Sequence, residues 1–300
     1  MNPLRSVADE LSGLTVALPT PFTGDQVVDL AGLRRLAQRA LAGGAWGLAV
    51  LGPTGEASSL DDVEREVILQ TVLEVAGDRP VVAGTGSCST RQSITWTRKA
   101  RQLGARAALV VTPYYNQPTQ GGLVAHYRAI AEAVPGFPII VHNSPARTGV
   151  NLEPATLRCL WRIPEVTGIK ESSGSLAQIG QIAGTLPKGK LLLAGDDGLA
   201  AASIARGAQG LISVLGSAFP EWVASLVHAA LAGRQEEAAG LQEQLRPLTE
   251  ALIFETDPIP LKALLKRLGL CGDQVRLPLL PAAAGTRAVL SAAVHRSRVA

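Results

Sequence analysis

A lysine closing an apolar strand is the first residue here whose placement asks for a chemical reason. Lys170 follows Val166, Gly168 and Ile169 in "VTGIKESSG", where an ammonium is expensive to desolvate. Burial disfavours the charged form, so such a lysine is pushed toward the free amine near neutral pH. A free amine is what imine formation with a ketone requires. The bland alternative is a salt bridge to Glu171 or another rim carboxylate. "IIVHNSPARTG" raises a second question, passing from Ile139, Ile140 and Val141 to His142 and then, five positions on, to Arg147. That histidine is either an acid–base group or a core residue satisfied by a carbonyl. The arginine either clamps a carboxylate or is a solvated loop residue. "GPTGE" (52–56) sets Thr54 and Gly55 in a glycine-rich turn able to aim N–H groups at a small anion, with Glu56 as a structural rim residue. Tyr114 and Tyr115 stand side by side in "TPYYN", where a phenol can relay a proton or fill a subunit contact. Gly195 in "GDD" and Ile212 in "ISV" end two further apolar runs.

These residues need a scaffold that gathers strand ends. Short apolar runs alternate with longer amphipathic ones: "LTVALPT" then "LAGLRRLAQRALAGG", "WGLAVLG" then "DVEREVILQTVLEVAG", and so on to "GLISVLGSA" then "PEWVASLVHAAL". Eight such units, each with a crossover long enough for parallel pairing, predict an α/β fold, a closed (β/α)8 TIM barrel. In that architecture the active site lies at the C-terminal ends of the strands, where every residue above falls. Ser59 and Asp61 signal a helix start before "DVEREV", and Gly104 a helix stop after "RKARQL". Beyond about residue 233 only helical patterns remain, which divides the chain into a barrel over 1–233 and a C-terminal helical region over 234–300. An open doubly wound sheet is the rival, but "LPTPFTGD" lacks the phosphate-binding fingerprint its first turn should carry.

Composition narrows the function classes. At 47% hydrophobic and 18% charged residues the chain has ample core and is not disordered. The net charge is +3 with the basic residues scattered, so nucleic acid is not an expected partner. No apolar run reaches spanning length, so no membrane partner is expected, and "MNPLRSVADELSG" lacks the apolar core of a signal peptide. Cys88, Cys159 and Cys271 are odd in number without CxxC spacing, which fits a reducing cytoplasm and suggests neither a zinc site nor a disulfide framework. No HExxH, paired Asp/His ligand spacing or GxSxG elbow appears, and "GTGSCS" lacks the third glycine of a dinucleotide fingerprint. An amine, a phenol, an anion-binding turn and an arginine remain, with no metal or cofactor.

As a set, "GPTGEASSL", "VTPYYNQPTQGGL", "HNSPARTG", "TGIKESSG", "AGDDGLA" and "GLISV" resemble the dihydrodipicolinate synthase/N-acetylneuraminate lyase family of class I aldolases. The motifs come in family order from about residue 13 almost to the C-terminus, and "FETDPIPLKALLKRLGL" with "VRLPLLP" is similar to the synthase branch. The resemblance implies that Lys170 forms a Schiff base with the keto carbon of pyruvate. Thr54 and Gly55 would hold the pyruvate carboxylate, and Gly195 and Ile212 would line the pocket. Tyr115 would reach into a partner subunit's site as part of a proton relay, and Arg147 would bind the carboxylate of the aldehyde, aspartate 4-semialdehyde. The implied product is 4-hydroxy-tetrahydrodipicolinate, on the bacterial route to lysine, made without a cofactor by a homotetramer of two tight dimers. Two residues depart from the family pattern. His142 stands where a relay tyrosine is usual, and Pro53 stands where a threonine hydroxyl links two tyrosines. Proline also removes a backbone N–H, and one preorganised donor is commonly worth on the order of 10²–10³ in rate. Three outcomes follow from these changes: a histidine-based relay, a shift to another aldehyde or keto acid (a keto-deoxy sugar acid or sialic acid lyase), or a catalytically weak keto-acid-binding paralogue. A buried lysine is costly unless used, which favours an enzyme.

Overall fold

Each strand is a run of four to six residues, and almost every residue in it is buried. Continuous apolar runs of this length suit a parallel sheet covered on both faces. The computed structural model describes residues 7–297. The strands are β1 (Gly13–Ala17), β2 (Gly47–Val50), β3 (Val81–Gly84), β4 (Ala107–Val111), β5 (Ile139–Asn143), β6 (Val166–Glu171), β7 (Leu191–Ala194) and β8 (Gly210–Ser213). Each pairs in parallel with the next, and β1 pairs with β8 through Leu14 opposite Leu211, so the sheet closes. The (β/α)8 barrel expected from the alternation is the observed architecture.

The side chains sort into two cores. Ala17, Ala49, Val82, Leu109, Ile140, Leu191, Leu193 and Ile212 form the inner one, together with Leu11 of α1 (Val7–Leu11). The larger outer core lies between the strands and the helices α2 (Leu30–Ala42), α3 (Asp62–Ala76), α4 (Thr90–Leu103), α5 (Gln120–Ala133), α7 (Pro154–Leu160), α8 (Leu176–Ala183), α9 (Ala200–Ile204) and α10 (Pro220–Leu231), while the one-turn α6 (Pro145–Thr148) adds no residue to it. Polar side chains cap α2, α3, α4, α5 and α8: Asp61 and Glu64 form a reciprocal capping box on α3, while Ser59 sits in a preceding 3-10 turn. Gly104 ends α4 in the left-handed conformation, as its position implies. "PART" folds into the short α6, a helix hidden in a stretch that reads as loop, with Pro145 in its first turn and Gly149 as its left-handed stop.

Past α10 come α11 (Gln235–Leu252), α12 (Ile259–Arg267) and α13 (Ala284–Ser297). Leu245, Leu248, Leu264, Leu265 and Leu290 from these helices belong to the same outer core as the barrel's own helices. Among the described residues no helix is long and apolar enough to cross a membrane. The first six residues of "MNPLRSVADELSG", on which the reading of the N-terminus partly rests, and residues 298–300 lie outside the described residues.

Candidate active site

Side chains alternate across a strand, so a residue two along from an inward-facing one also faces inward. Ile140 belongs to the inner core, which aims His142 into the barrel, and Lys170 is the direct register partner of His142 on β6. Lys170 is 7% exposed and takes part in no ion pair among the described residues. Desolvation lowers its pKa to about 8 against the pull of Asp257 and Asp197, which favour the charged form. At pH 7 roughly a tenth of the amine is then free, some 300-fold more than for an ordinary lysine. Glu171 is not its partner. It faces the other way, where Oε1 accepts from the Ser173 N–H at 2.7 Å and Oε2 accepts from Asn143 and Gln178, each at 3.0 Å.

His142 is 3% exposed, and its Nε2 lies 3.4 Å from Ser172 Oγ. Burial, then the charges of Lys170 and Arg147, hold its pKa well below the ordinary 6.5. The imidazole is therefore neutral across physiological pH. Gly195 completes this corner: a Cβ there would sit 1.9 Å from Ser172 Oγ and 2.7 Å from Lys170 Cε. Only the absence of a side chain lets the lysine stem pass. Ile212 is 1% exposed within the inner core.

A cavity of about 310 Å³ opens over this corner, lined by Pro53, Tyr114, His142, Arg147 and Asp257 among others. Lys170 is not part of its wall but lies one strand across from His142, at the inner edge. Thr54 is buried, and its hydroxyl donates to Asp257 Oδ2 at 2.9 Å. Gly55 is fixed by its own N–H to Gly52 O and by Thr20 Oγ1, which donates to Gly55 O at 2.7 Å. Arg147, half-exposed on α6, points Nη2 at the same Asp257 carboxylate from 3.5 Å. Tyr115 stands apart. It is 90% exposed with φ of 69°, a left-handed conformation unusual for a tyrosine, and it does not line the chain's own cavity.

Three residues at the site lie within the motifs quoted above but are given no role of their own by the sequence. Ser172 is one polar residue in a polar loop. Asp197 accepts from Ser213 Oγ and from the backbone N–H groups of Val214 and Leu215, tying the end of β7 to that of β8, and burial pushes its pKa up. Asp257 arrives from the segment before α12. Glu56 is the structural rim residue its position implies. Its Oε1 accepts from Lys262 Nζ at 2.5 Å, and Oε2 accepts from the Arg276 N–H at 2.9 Å. Lys262 Nζ also donates to Gln274 O at 2.7 Å, and the pair is almost wholly buried. No group of three or more His, Cys, Asp or Glu poised to hold a metal ion occurs among the described residues.

Fold and rim together define a (β/α)8 barrel with a buried amine one strand across from its strand-end pocket. The chain belongs to the dihydrodipicolinate synthetase family, whose model matches residues 10–297. It is 46% identical to the 4-hydroxy-tetrahydrodipicolinate synthase of Thermomicrobium roseum over 95% of this chain and 94% of that one. The chloride-inhibited dihydrodipicolinate synthase of Acinetobacter baumannii, solved with pyruvate, superposes with a TM-score of 0.94 at 38% identity, covering 96% of this chain and 99% of that one. A monomeric dihydrodipicolinate synthase variant superposes with a TM-score of 0.93 at 36% identity, covering 96% and 97% of the two chains.

Proposed function

We propose that this protein condenses pyruvate with aspartate 4-semialdehyde through an imine on Lys170, giving 4-hydroxy-tetrahydrodipicolinate. The observation that carries the reading is the buried Lys170 amine, free of any ion pair and held near pKa 8 beside a neutral imidazole. The name shared by the relatives and the pyruvate bound to one of them support the same substrates. In this reading the Lys170 nitrogen adds to the keto carbon of pyruvate, the amine gives up its two protons, and the carbonyl oxygen takes up two and leaves as water as the C=N bond forms. His142, neutral and in register with Lys170, moves these protons. Loss of a proton from the pyruvate methyl then gives an enamine carbon that attacks the aldehyde.

The Thr54–Gly55 turn holds the pyruvate carboxylate, Gly195 and Ile212 shape the floor, and Arg147 meets the carboxylate of the semialdehyde. Tyr115 serves the site of a second copy in a cytoplasmic homotetramer of two dimers. Residues 1–233 form the unit that bears the lysine, and 234–300 form a helical region packed on it. The covalent imine takes the place of a dissociable cofactor.

Incubation with pyruvate and borohydride tests the reading. A stable adduct is expected on a peptide containing Lys170, formed faster as pH rises through about 8, because the free amine is the reactive form. An unmodified mass across neutral pH overturns it.

A further inference from the structure

Asp257 belongs to no strand end, yet it reaches the pocket. Its Oδ2 accepts from Thr54 Oγ1 at 2.9 Å and lies 3.5 Å from Arg147 Nη2, which also donates to the Asp257 backbone carbonyl at 3.4 Å. The side chain is 16% exposed, and Oδ1 is buried with no hydrogen-bond partner among the described residues. Among the charges acting on Lys170, Asp257 has the largest influence. One carboxylate thus engages the groups read above as serving both substrates: Thr54 for pyruvate and Arg147 for the aldehyde.

We infer that Asp257 is a specificity-determining residue, which while ionised occupies Arg147 and opposes the carboxylate of an incoming aldehyde. The inference rests on the imine reading and adds to it what sets the preference for the second substrate. Arg147 carries a single positive charge, and two carboxylates brought to one guanidinium repel each other, the more so when desolvated. The conflict is relieved if the carboxyl is protonated, and the unpartnered Oδ1 is placed to carry that proton. Four groups act on this carboxyl. Arg147 from α6, Thr54 from the loop after β2 and Lys170 from β6 favour its ionised form, whereas Glu56 from the β2 loop opposes it. Burial outweighs the favourable partners and sets the carboxyl above the ordinary range.

With pyruvate saturating, so that Lys170 is engaged as imine, the KM for aspartate 4-semialdehyde in the unaltered enzyme is expected to rise with pH as Asp257 ionises. Asp257→Asn, which keeps the shape and removes the charge, should flatten that profile. It should also raise kcat/KM for the semialdehyde relative to an uncharged aldehyde, glyceraldehyde, by about tenfold. A residue that merely braced the loop would change both aldehydes alike and leave the pH profile standing. Borohydride trapping with pyruvate is run on the same samples. A trapped Lys170 with a pH-independent KM in the unaltered enzyme, or with unchanged selectivity in Asp257→Asn, overturns this inference alone. Failure to trap the unaltered enzyme overturns the imine reading and this inference with it.

Discussion

Lys170 and His142 are register partners across β5 and β6; burial lowers the pKa of both, and the charge of Lys170 adds to the lowering at His142. The depressed pKa of His142 has a consequence that its residue type hides. A free imidazole titrates near 6.5, which invites a loss of activity just below neutrality, but burial beside Lys170 and Arg147 moves that transition well to the acid side. The pH limb near neutrality belongs to Lys170 instead. If His142 moves protons for the imine, His142→Asn should lower kcat by on the order of 10²-fold while the limb near pH 8 persists. Rapid-quench kinetics with a melting curve on the same variant checks this, and a near-normal rate in a destabilised protein would leave His142 as packing. Both residues were legible in the sequence because a polar type at the buried end of an apolar run is an anomaly. Ser172 and Asp257 were not. Ser172 has polar neighbours on either side, and Asp257 becomes relevant only when a segment some two hundred positions from Thr54 folds back onto it.

Eight strands were readable because each is a short apolar run followed by a helical period and a cap. The long α11 was readable through its period even though Pro247 lies inside it. The fastening of elements to one another left no such trace. Glu56 follows the Thr54–Gly55 turn and has its own left-handed φ of 52°, and it is held there by Lys262 of α12 and by the Arg276 backbone. Nothing near Lys262 in the sequence distinguishes it from Lys266, which is solvated. Removing one partner strands the other as a buried charge, so Lys262→Met should cost about 3–5 kcal/mol, whereas Glu56→Gln with Lys262→Met should recover most of that loss. Urea denaturation of the two single variants and the double variant gives the coupling. Additive losses would mean that the pair does not act as a unit.

At the scale of the whole molecule, Tyr115 is the residue that the single chain does not explain. An exposed aromatic in a left-handed conformation is strained, and at 90% exposure little of the described chain covers it to repay that strain. If it completes the site of a second copy, Tyr115→Phe and Lys170→Ala should each be nearly inactive alone. Mixing the two after subunit exchange should restore about a quarter of the unaltered activity, since half the dimers are mixed and each has one intact site. Sedimentation at assay concentration, with the monomeric relative as the contrasting case, reports whether such dimers form. No recovery in a dimeric sample would remove Tyr115 from the relay.

The Glu56–Lys262 contact also sets an order of events in time. Glu56 is made early, and the groups that hold it are made 206 and 220 residues later. At ordinary synthesis rates, the roughly 60 residues separating the end of β8 from Arg276 take about 3–12 s to be added. For most of that interval the nascent chain already contains every strand and the Lys170 amine, but Glu56, which follows the Thr54–Gly55 turn, still lacks its Lys262 partner. The last quarter of the message therefore acts as a timer on the first.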